Sequence, residues 1–144
     1  MKQDIPDAKD FPPESRVFLL NLQTFEDVMS YIEERCREAG CEENVVYPIS
    51  VSSSEILANI ESYAYENGGN VEIITSRREN KMIITFKDSG KPFDPMSVEP
   101  PDITVPPSER EPGGLGIFIV RKLMNNVRYE YIDGHNVLTV EKEF

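Results

Sequence analysis

The chain has 144 residues, enough for a single domain with one continuous core, and 39% hydrophobic and 28% charged residues are ordinary for a globular protein. Its formal net charge of −11 argues against direct binding of nucleic acid, because phosphate contacts need clustered Lys and Arg. No apolar run approaches the ~20 residues that cross a bilayer, and the polar start lacks a signal-peptide pattern, so we expect a cytoplasmic protein without membrane contact.

The first part of the chain predicts an arm, a strand and a helix. Residues 1–15 are polar and proline-containing, which predicts a flexible arm, and the short apolar run 16–22 predicts a strand. Apolar residues then recur at helical spacing over 25–39. Thr24 is the expected N-cap of this helix and Gly40 its stop signal.

The middle of the chain predicts a second helix and a hairpin. The helix is expected from about Ile49, just past Pro48, to about Asn67, because proline breaks a helix interior and Gly68-Gly69 follows. Segments 71–76 and 82–87 predict paired strands, joined by a polar turn.

The last part begins with a long loop. Most of the eleven prolines lie in residues 92–112, and a long irregular segment inside a compact domain is often a lid over a site. A helix over 116–125 and strands over 127–132 and 137–143 follow. This element order predicts an α+β fold, a two-layer α/β sandwich in which helices cover one face of a mixed, mainly antiparallel sheet.

The predicted second helix carries a carboxylate and a carboxamide, Glu55 and Asn59. A spacing of four residues puts them on one helix face, one turn apart. The Asn59 oxygen is a hard ligand suited to Mg²⁺, and Glu55 is placed to accept a proton from water or from a substrate hydroxyl. Polar pairs at this spacing are also common on solvated helix faces, so the pair alone leaves both interpretations open.

A second motif, Asp88-Ser-Gly90, follows the predicted strand 82–87. An ionised carboxylate only accepts hydrogen bonds, so Asp88 would select the exocyclic amine of adenine over the carbonyl of guanine. Gly90 would let the backbone approach the base without a Cβ atom. The alternative is an ordinary turn that closes a strand.

The third motif, Gly113-Gly114-Leu115-Gly116, lies between the proline-rich loop and a helix. Closely spaced glycines let backbone N–H groups surround phosphate oxygens, and the helix adds its positive N-terminal end. The motif matches neither the P-loop nor the dinucleotide-binding fingerprint. The alternative is a flexible hinge at the start of a helix.

The ordered set of motifs resembles the histidine-kinase-like ATPase superfamily of sensor kinases, gyrase-type topoisomerases and Hsp90-type chaperones. Within it, the chain is most similar to the small bacterial anti-sigma-factor serine/threonine kinases. The matching motifs are Glu55-x-x-x-Asn59 before Ala64-Tyr65, Asp88-x-Gly90-x-Pro-Phe-Asp-Pro95, Gly113-Gly-Leu-Gly-Ile117 and Asn136-x-Leu-Thr139. The resemblance implies the histidine-kinase-like ATPase fold, with an ATP-binding domain over 16–144 and an ATP lid over 92–112.

Carried over position by position, the resemblance also implies roles for individual residues. Glu55 would be the general base, and Asn59 would hold Mg²⁺ beside the bound ATP. Asp88 and Gly90 would read adenine, with Thr139 assisting Asp88 through water. The phosphates would be held by Gly113, Gly114, Leu115 and Gly116.

Three functions are compatible with these implied roles. The first is an ATP-binding anti-sigma factor that sequesters a sigma factor and phosphorylates a serine or threonine of an antagonist protein. The second is a non-catalytic, ATP-responsive module that binds a protein partner; Tyr63, where many relatives carry a histidine, favours it. The third is a detached sensor-kinase catalytic domain, which ranks last because the only histidine, His135, falls in a predicted turn. The resemblance to the anti-sigma-factor kinases also implies a homodimer, because proteins of that group commonly form one. The apolar first strand would contribute to its interface.

Overall fold

The computed structural model describes residues 10–64, 69–97, 104, 106, 108 and 115–144. The strands among them are β1 (Asp10–Leu20), β2 (Gly69–Arg78), β3 (Lys81–Asp88), β4 (Asn126–Ile132) and β5 (His135–Glu143). The helices are α1 (Phe25–Glu38), α2 (Glu43–Asn59) and α3 (Leu115–Leu123), with a π-helical turn at Ile60–Ala64 and a 3₁₀ turn at Pro95–Ser97.

The five described strands form one sheet in the order β1-β2-β3-β5-β4. Every neighbouring pair is antiparallel, so the predicted α+β sandwich is confirmed, but the sheet is antiparallel throughout rather than mixed. Successive side chains of a strand point to opposite faces. The helix-facing side of the sheet is therefore buried, with Val71, Ile73, Met82, Ile84, Phe86, Leu138 and Val140.

Strand β1 begins at Asp10, inside the predicted arm. Its first residues pair with β2, with Phe11 opposite Arg77 and Glu14 opposite Thr75. A register shift between Phe11 and Glu14 accommodates the two prolines there, because a bulge on an edge strand tolerates a missing N–H. The predicted arm is therefore wrong for residues 10–15, and residues 1–9 lie outside the described part.

Helix α2 passes through Pro48, where the sequence predicts a start. The proline removes one backbone hydrogen bond, but Val45, Val46 and Pro48 are buried, which stabilises the turn before it. At its other end the α-helix stops at Asn59 and the π-helical turn follows, instead of a regular helix to Asn67. Residues 65–68 lie outside the described part.

The remaining elements follow the prediction closely. Helix α1 begins after Thr24, although the Thr24 hydroxyl makes no capping bond and contacts the Leu19 carbonyl instead. Gly40 ends this helix with a φ of +92°, a conformation that favours glycine. The 3₁₀ turn lies in the described first part of the proline-rich segment, and its first residue, Pro95, is buried. Residues 98–103 and 109–114 lie outside the described part.

Candidate functional site

Two of the predicted site residues, Asn59 and Asp88, line the same pocket. The pocket is narrow in this structure, with a cavity volume of ≈ 30 Å³. Its other walls are mainly apolar and include Ile56, Phe86, Phe93, Ile117 and Leu138. An apolar pocket with a few fixed polar groups suits a flat heterocycle that carries specific donors.

Asp88 ends β3 on the buried face of the sheet and is 4% exposed. Its Oδ1 accepts hydrogen bonds from the Gly90 backbone N–H at 2.9 Å and from Asn136 Nδ2 at 3.0 Å. Among the described residues, none donates a hydrogen bond to the other oxygen, Oδ2. A carboxylate oxygen that lines an apolar pocket fits an exocyclic amine, because an ionised carboxylate only accepts hydrogen bonds.

Asn136 is a site residue that the prediction missed. It is the first buried residue of β5 and is 6% exposed. In the sheet it lies opposite Asp88 of β3. The signal was present in the period-two pattern of the strand, in which positions 136, 138 and 140 are buried. That pattern puts position 139 on the opposite face.

Thr139 therefore cannot assist Asp88 through water, and this part of the prediction is wrong. Its hydroxyl lies 3.1 Å from the Thr85 hydroxyl, on the sheet face that points away from the pocket. The side chain that contacts Asp88 directly is Asn136. A carboxamide reaches further than a threonine hydroxyl, so no bridging water is needed.

The side chain of Glu55, a residue of α2, lies close to the first turn of α3. A Cβ atom added to Gly116 would be 2.7 Å from Glu55 Oε1, which shows how closely the two helices approach. Asn59 is the last α-helical residue before the π-helical turn and lines the pocket one turn further along. Helix α2 thus presents both predicted residues toward the same end of the molecule.

The glycine motif is only partly described. Gly113 and Gly114 lie outside the described residues, whereas the Leu115 backbone and Gly116 form the first turn of α3. Ile117, the next residue, lines the pocket. The start of this helix, which carries positive partial charge, is therefore close to the pocket that contains Asp88 and Asn59.

A metal ion at this site would depend on few protein ligands. In the described part of the chain, no group of three or more His, Cys, Asp or Glu side chains is arranged to hold a metal. Mg²⁺ bound to a nucleotide needs only one or two protein oxygens, because it keeps several waters and takes phosphate oxygens. The single Asn59 carboxamide beside the pocket fits that requirement. None of the described helices is long and apolar enough to span a membrane.

The chain is similar to several known proteins. The sequence profile of the histidine kinase-like ATPase domain matches residues 18–142. Over 95 residues the chain is 30% identical to the serine-protein kinase RsbW of Bacillus thuringiensis strain Al Hakam, a match that covers 62% of this chain and 59% of that protein. Over 90 residues it is 30% identical to the RsbW of Halalkalibacterium halodurans, covering 60% of this chain and 56% of that protein.

A solved structure shares the fold. The RsbU and RsbW domains of Rv1364c from Mycobacterium tuberculosis superimpose with a TM-score of 0.64 over 92% of this chain, at 14% sequence identity. The match covers 32% of that larger protein. The chain thus spans less than two thirds of the curated relatives and about a third of this neighbour.

Proposed function

Because the chain belongs to the histidine kinase-like ATPase domain family, we propose that it is an ATP-binding anti-sigma factor with serine/threonine kinase activity toward an antagonist protein. The main support is that Asn59, Asp88 and the first turn of α3 surround one pocket, although they are remote in sequence. The similar proteins of Bacillus thuringiensis and Halalkalibacterium halodurans are named serine-protein kinases, which supports the reaction class.

ATP and Mg²⁺ would be held by a small set of residues. Asp88 would accept the adenine amine through Oδ2, and Phe93 would offer its ring to the base. The Asn59 carboxamide oxygen would bind Mg²⁺, which supplies positive charge that offsets the charge of the phosphates when it is bound. Gly113, Gly114, Leu115 and Gly116 would direct backbone N–H groups toward the phosphates.

Glu55 would act as the general base. The hydroxyl oxygen of a partner serine or threonine would bond to the γ-phosphorus, the bond from that phosphorus to the bridging oxygen of ADP would break, and the hydroxyl proton would pass to the Glu55 carboxylate. The position of this carboxylate, against the first turn of α3 and one turn before Asn59, supports the role.

The partners would be a sigma factor, an antagonist protein that accepts the phosphate, and a second copy of the chain. A cytoplasmic location follows from the sigma-factor partner. For the homodimer, the supporting feature is edge strand β1, whose Val17 and Leu19 are 58% and 55% exposed on the open face of the sheet. Large apolar side chains beside an unpaired strand edge favour association with another chain.

The kinase proposal is tested by following γ-phosphate transfer from ATP to proteins captured from the native cell. Glu55→Gln should abolish transfer and leave ATP affinity within about twofold, because only the proton acceptor is lost. The matched control is Glu43→Gln, the same change at the first residue of α2. The helix rise puts this residue about 24 Å from Asn59, the last residue of α2. Full transfer by the Glu55→Gln protein would remove Glu55 from the mechanism.

The second function, an ATP-responsive binding module without catalysis, remains an alternative. Tyr63 at the position of the family's histidine favours it. In that case ATP binds and partner capture depends on ATP, but no γ-phosphate is lost with any captured partner. The third, a detached sensor-kinase domain, requires a phosphohistidine on a separate protein, which acid-labile phosphate analysis would detect.

A further inference from the structure

The buried side-chain amide of Asn136 uses all of its hydrogen-bonding positions. Its Nδ2 donates to Asp88 Oδ1 at 3.0 Å and to the Lys91 carbonyl at 2.8 Å. Its Oδ1 accepts the Phe93 backbone N–H at 3.0 Å and the Tyr129 hydroxyl. An amide has two donor hydrogens and an acceptor oxygen with two lone pairs, so this arrangement is saturated.

These four short contacts, with a longer fifth one from Nδ2 to the Gly90 carbonyl at 3.4 Å, determine which way the amide faces. Two donors converge on Oδ1, so the NH₂ group must face Asp88. Burial raises the pKa of Tyr129, which keeps its hydroxyl protonated and able to donate. The direction of the Tyr129 bond therefore helps to determine the direction of the Asn136 bond to Asp88.

The same amide also holds the segment that leads into the proline-rich loop. Lys91 and Phe93 are attached through their backbones, and the Phe93 ring and Pro95 line the pocket. One side chain thus fixes both the carboxylate on one wall of the pocket and the backbone that positions an aromatic ring on another.

We propose that Asn136, oriented by Tyr129, is a positioning residue that couples the choice of base by Asp88 to the placement of Phe93 at the start of the proline-rich segment. The inference rests on the proposed ATP site. Asn136 does not touch the reacting atoms. It keeps Asp88 as an acceptor with Oδ2 available, and it holds Phe93 where its ring can pack on the base.

The test compares the affinities of ATP and ITP, which differ in the group that faces Asp88: an amine in adenine, a carbonyl in hypoxanthine. Asn136→Asp keeps the shape but replaces the NH₂ donor with an acceptor 3.0 Å from Asp88 Oδ1. Two carboxylates at this distance share a proton, and a protonated carboxyl can donate to the ITP carbonyl. The dissociation constant for ATP should rise about tenfold or more, while that for ITP rises less, so the preference for ATP shrinks.

A second variant keeps the test decisive if Asn136→Asp does not fold. Tyr129→Phe removes one hydroxyl and should shift the ATP-to-ITP preference in the same direction, by roughly two- to fivefold. If both single variants fold, the double variant should lose less of the ATP-to-ITP preference than the two single losses added together, because the two residues act through one network. The matched control is Thr139→Val on the opposite face of β5, which should change neither affinity.

The possible outcomes separate this inference from the proposed function. If the unaltered protein binds no ATP, the proposed function fails and this inference fails with it. If the unaltered protein binds ATP but the variants keep its ATP-to-ITP preference, this inference alone is overturned. Equal losses of ATP and ITP affinity that accompany a lower melting temperature would show a purely structural role and would also overturn it.

Discussion

Glu55 Oε1 lies 2.7 Å from the point that a Cβ atom at Gly116 would occupy. The backbone of Gly116 has no positive φ, so any L-residue could adopt its conformation. The glycine is needed because the Glu55 carboxylate occupies the space of a side chain. The first and third sequence motifs are thus joined by a steric contact between α2 and α3.

Gly116→Ala should reduce phosphate transfer without destabilising the protein. The added methyl group displaces the flexible end of Glu55, and a shift of ~1 Å in a reacting group lowers rates by about 10- to 100-fold. The free energy of unfolding should not fall, since alanine favours a helix over glycine by about 0.8–1 kcal/mol. Transfer assays and chemical denaturation measure the two effects.

The double variant Glu55→Ala/Gly116→Ala provides the control for this prediction. Because Glu55→Ala alone should already abolish transfer, the comparison uses ATP affinity, which should equal that of Glu55→Ala alone since the methyl group then has no carboxylate to displace. Gly134→Ala offers a contrast: nothing lies within 4 Å of its added Cβ, but its φ is +78°, so stability should fall and transfer should not. Additive losses in the double variant would show that Gly116 acts independently of Glu55.

Glu141 should make the stability of the protein depend on pH. Its carboxylate accepts a hydrogen bond from Arg128 at 2.6 Å and lies 3.8 Å from Lys81 Nζ, and its side chain is 13% exposed. The Arg128 bond first, and then both positive charges, hold the pKa of Glu141 below its usual value. A carboxylate with a depressed pKa in the folded state contributes stability above its unfolded pKa, which is lost as the pH falls through the folded value.

Glu141→Gln should therefore lower the free energy of unfolding by about 1 kcal/mol at pH 7. The difference from the unaltered protein should decline as the pH falls below about 4.3, the ordinary pKa of glutamate. Urea denaturation at several pH values measures it. Glu43→Gln is the control, because its pair with Arg37 is exposed. A constant difference down to pH 2 would refute the assignment.

The two cysteines should differ in reactivity. Both are free and buried, and the Cys41 backbone N–H bonds to the Cys36 carbonyl at 2.9 Å in the turn that ends α1. The hydrogen bond from the Cys36 thiol lowers the pKa of Cys41, and the positive charge of Arg77 lowers it further. Burial raises this pKa, but by less than the other two effects lower it. The same bond and burial raise the pKa of Cys36. Cys41 should be alkylated first and at lower pH, since the thiolate is the nucleophile.

Peptide mass spectrometry after iodoacetamide treatment at pH 6 to 9 would measure this order. Arg77→Gln should shift the Cys41 profile to higher pH, because it removes the nearby positive charge. Alkylation of Cys36 before Cys41 in the folded protein would contradict the assignment.

The proposed dimer can be tested at β1. Leu19→Arg places a charge on the open face of the edge strand and should convert a dimer to a monomer in sedimentation experiments. Leu22→Arg is the control, because Leu22 is 86% exposed but follows the strand. A monomeric unaltered protein, or equal effects of both changes, would exclude this interface.

The sequence predicted elements well where local pattern and packing agree. Helix α1 was found because its apolar spacing and Gly40 mark the same limits. Pro48 misled the prediction of α2, because the burial of Val45 and Val46 outweighs the local preference of proline. Likewise, the start of β1 depends on its pairing with β2, which local composition does not encode.

For the site, motif order predicted that Asn59 and Asp88 come together, and both residues line one pocket. The roles of individual residues were less accessible. Thr139 was chosen by motif position, whereas the strand alternation that puts Asn136 on the pocket side was not used. The contact between Glu55 and Gly116 depends on how two helices cross, which no spacing in the sequence reveals.

We propose that Asn59, Asp88 and the start of α3 form one site for Mg-ATP. Isothermal titration calorimetry with the unaltered protein and with Asp88→Asn measures whether they do. We expect saturable one-site heat with the unaltered protein. Asp88→Asn should lose this heat at unchanged melting temperature, because an amide NH₂ group replaces the acceptor that the adenine amine needs. The absence of heat with the folded, unaltered protein, or equal ATP affinity in the variant, would contradict it.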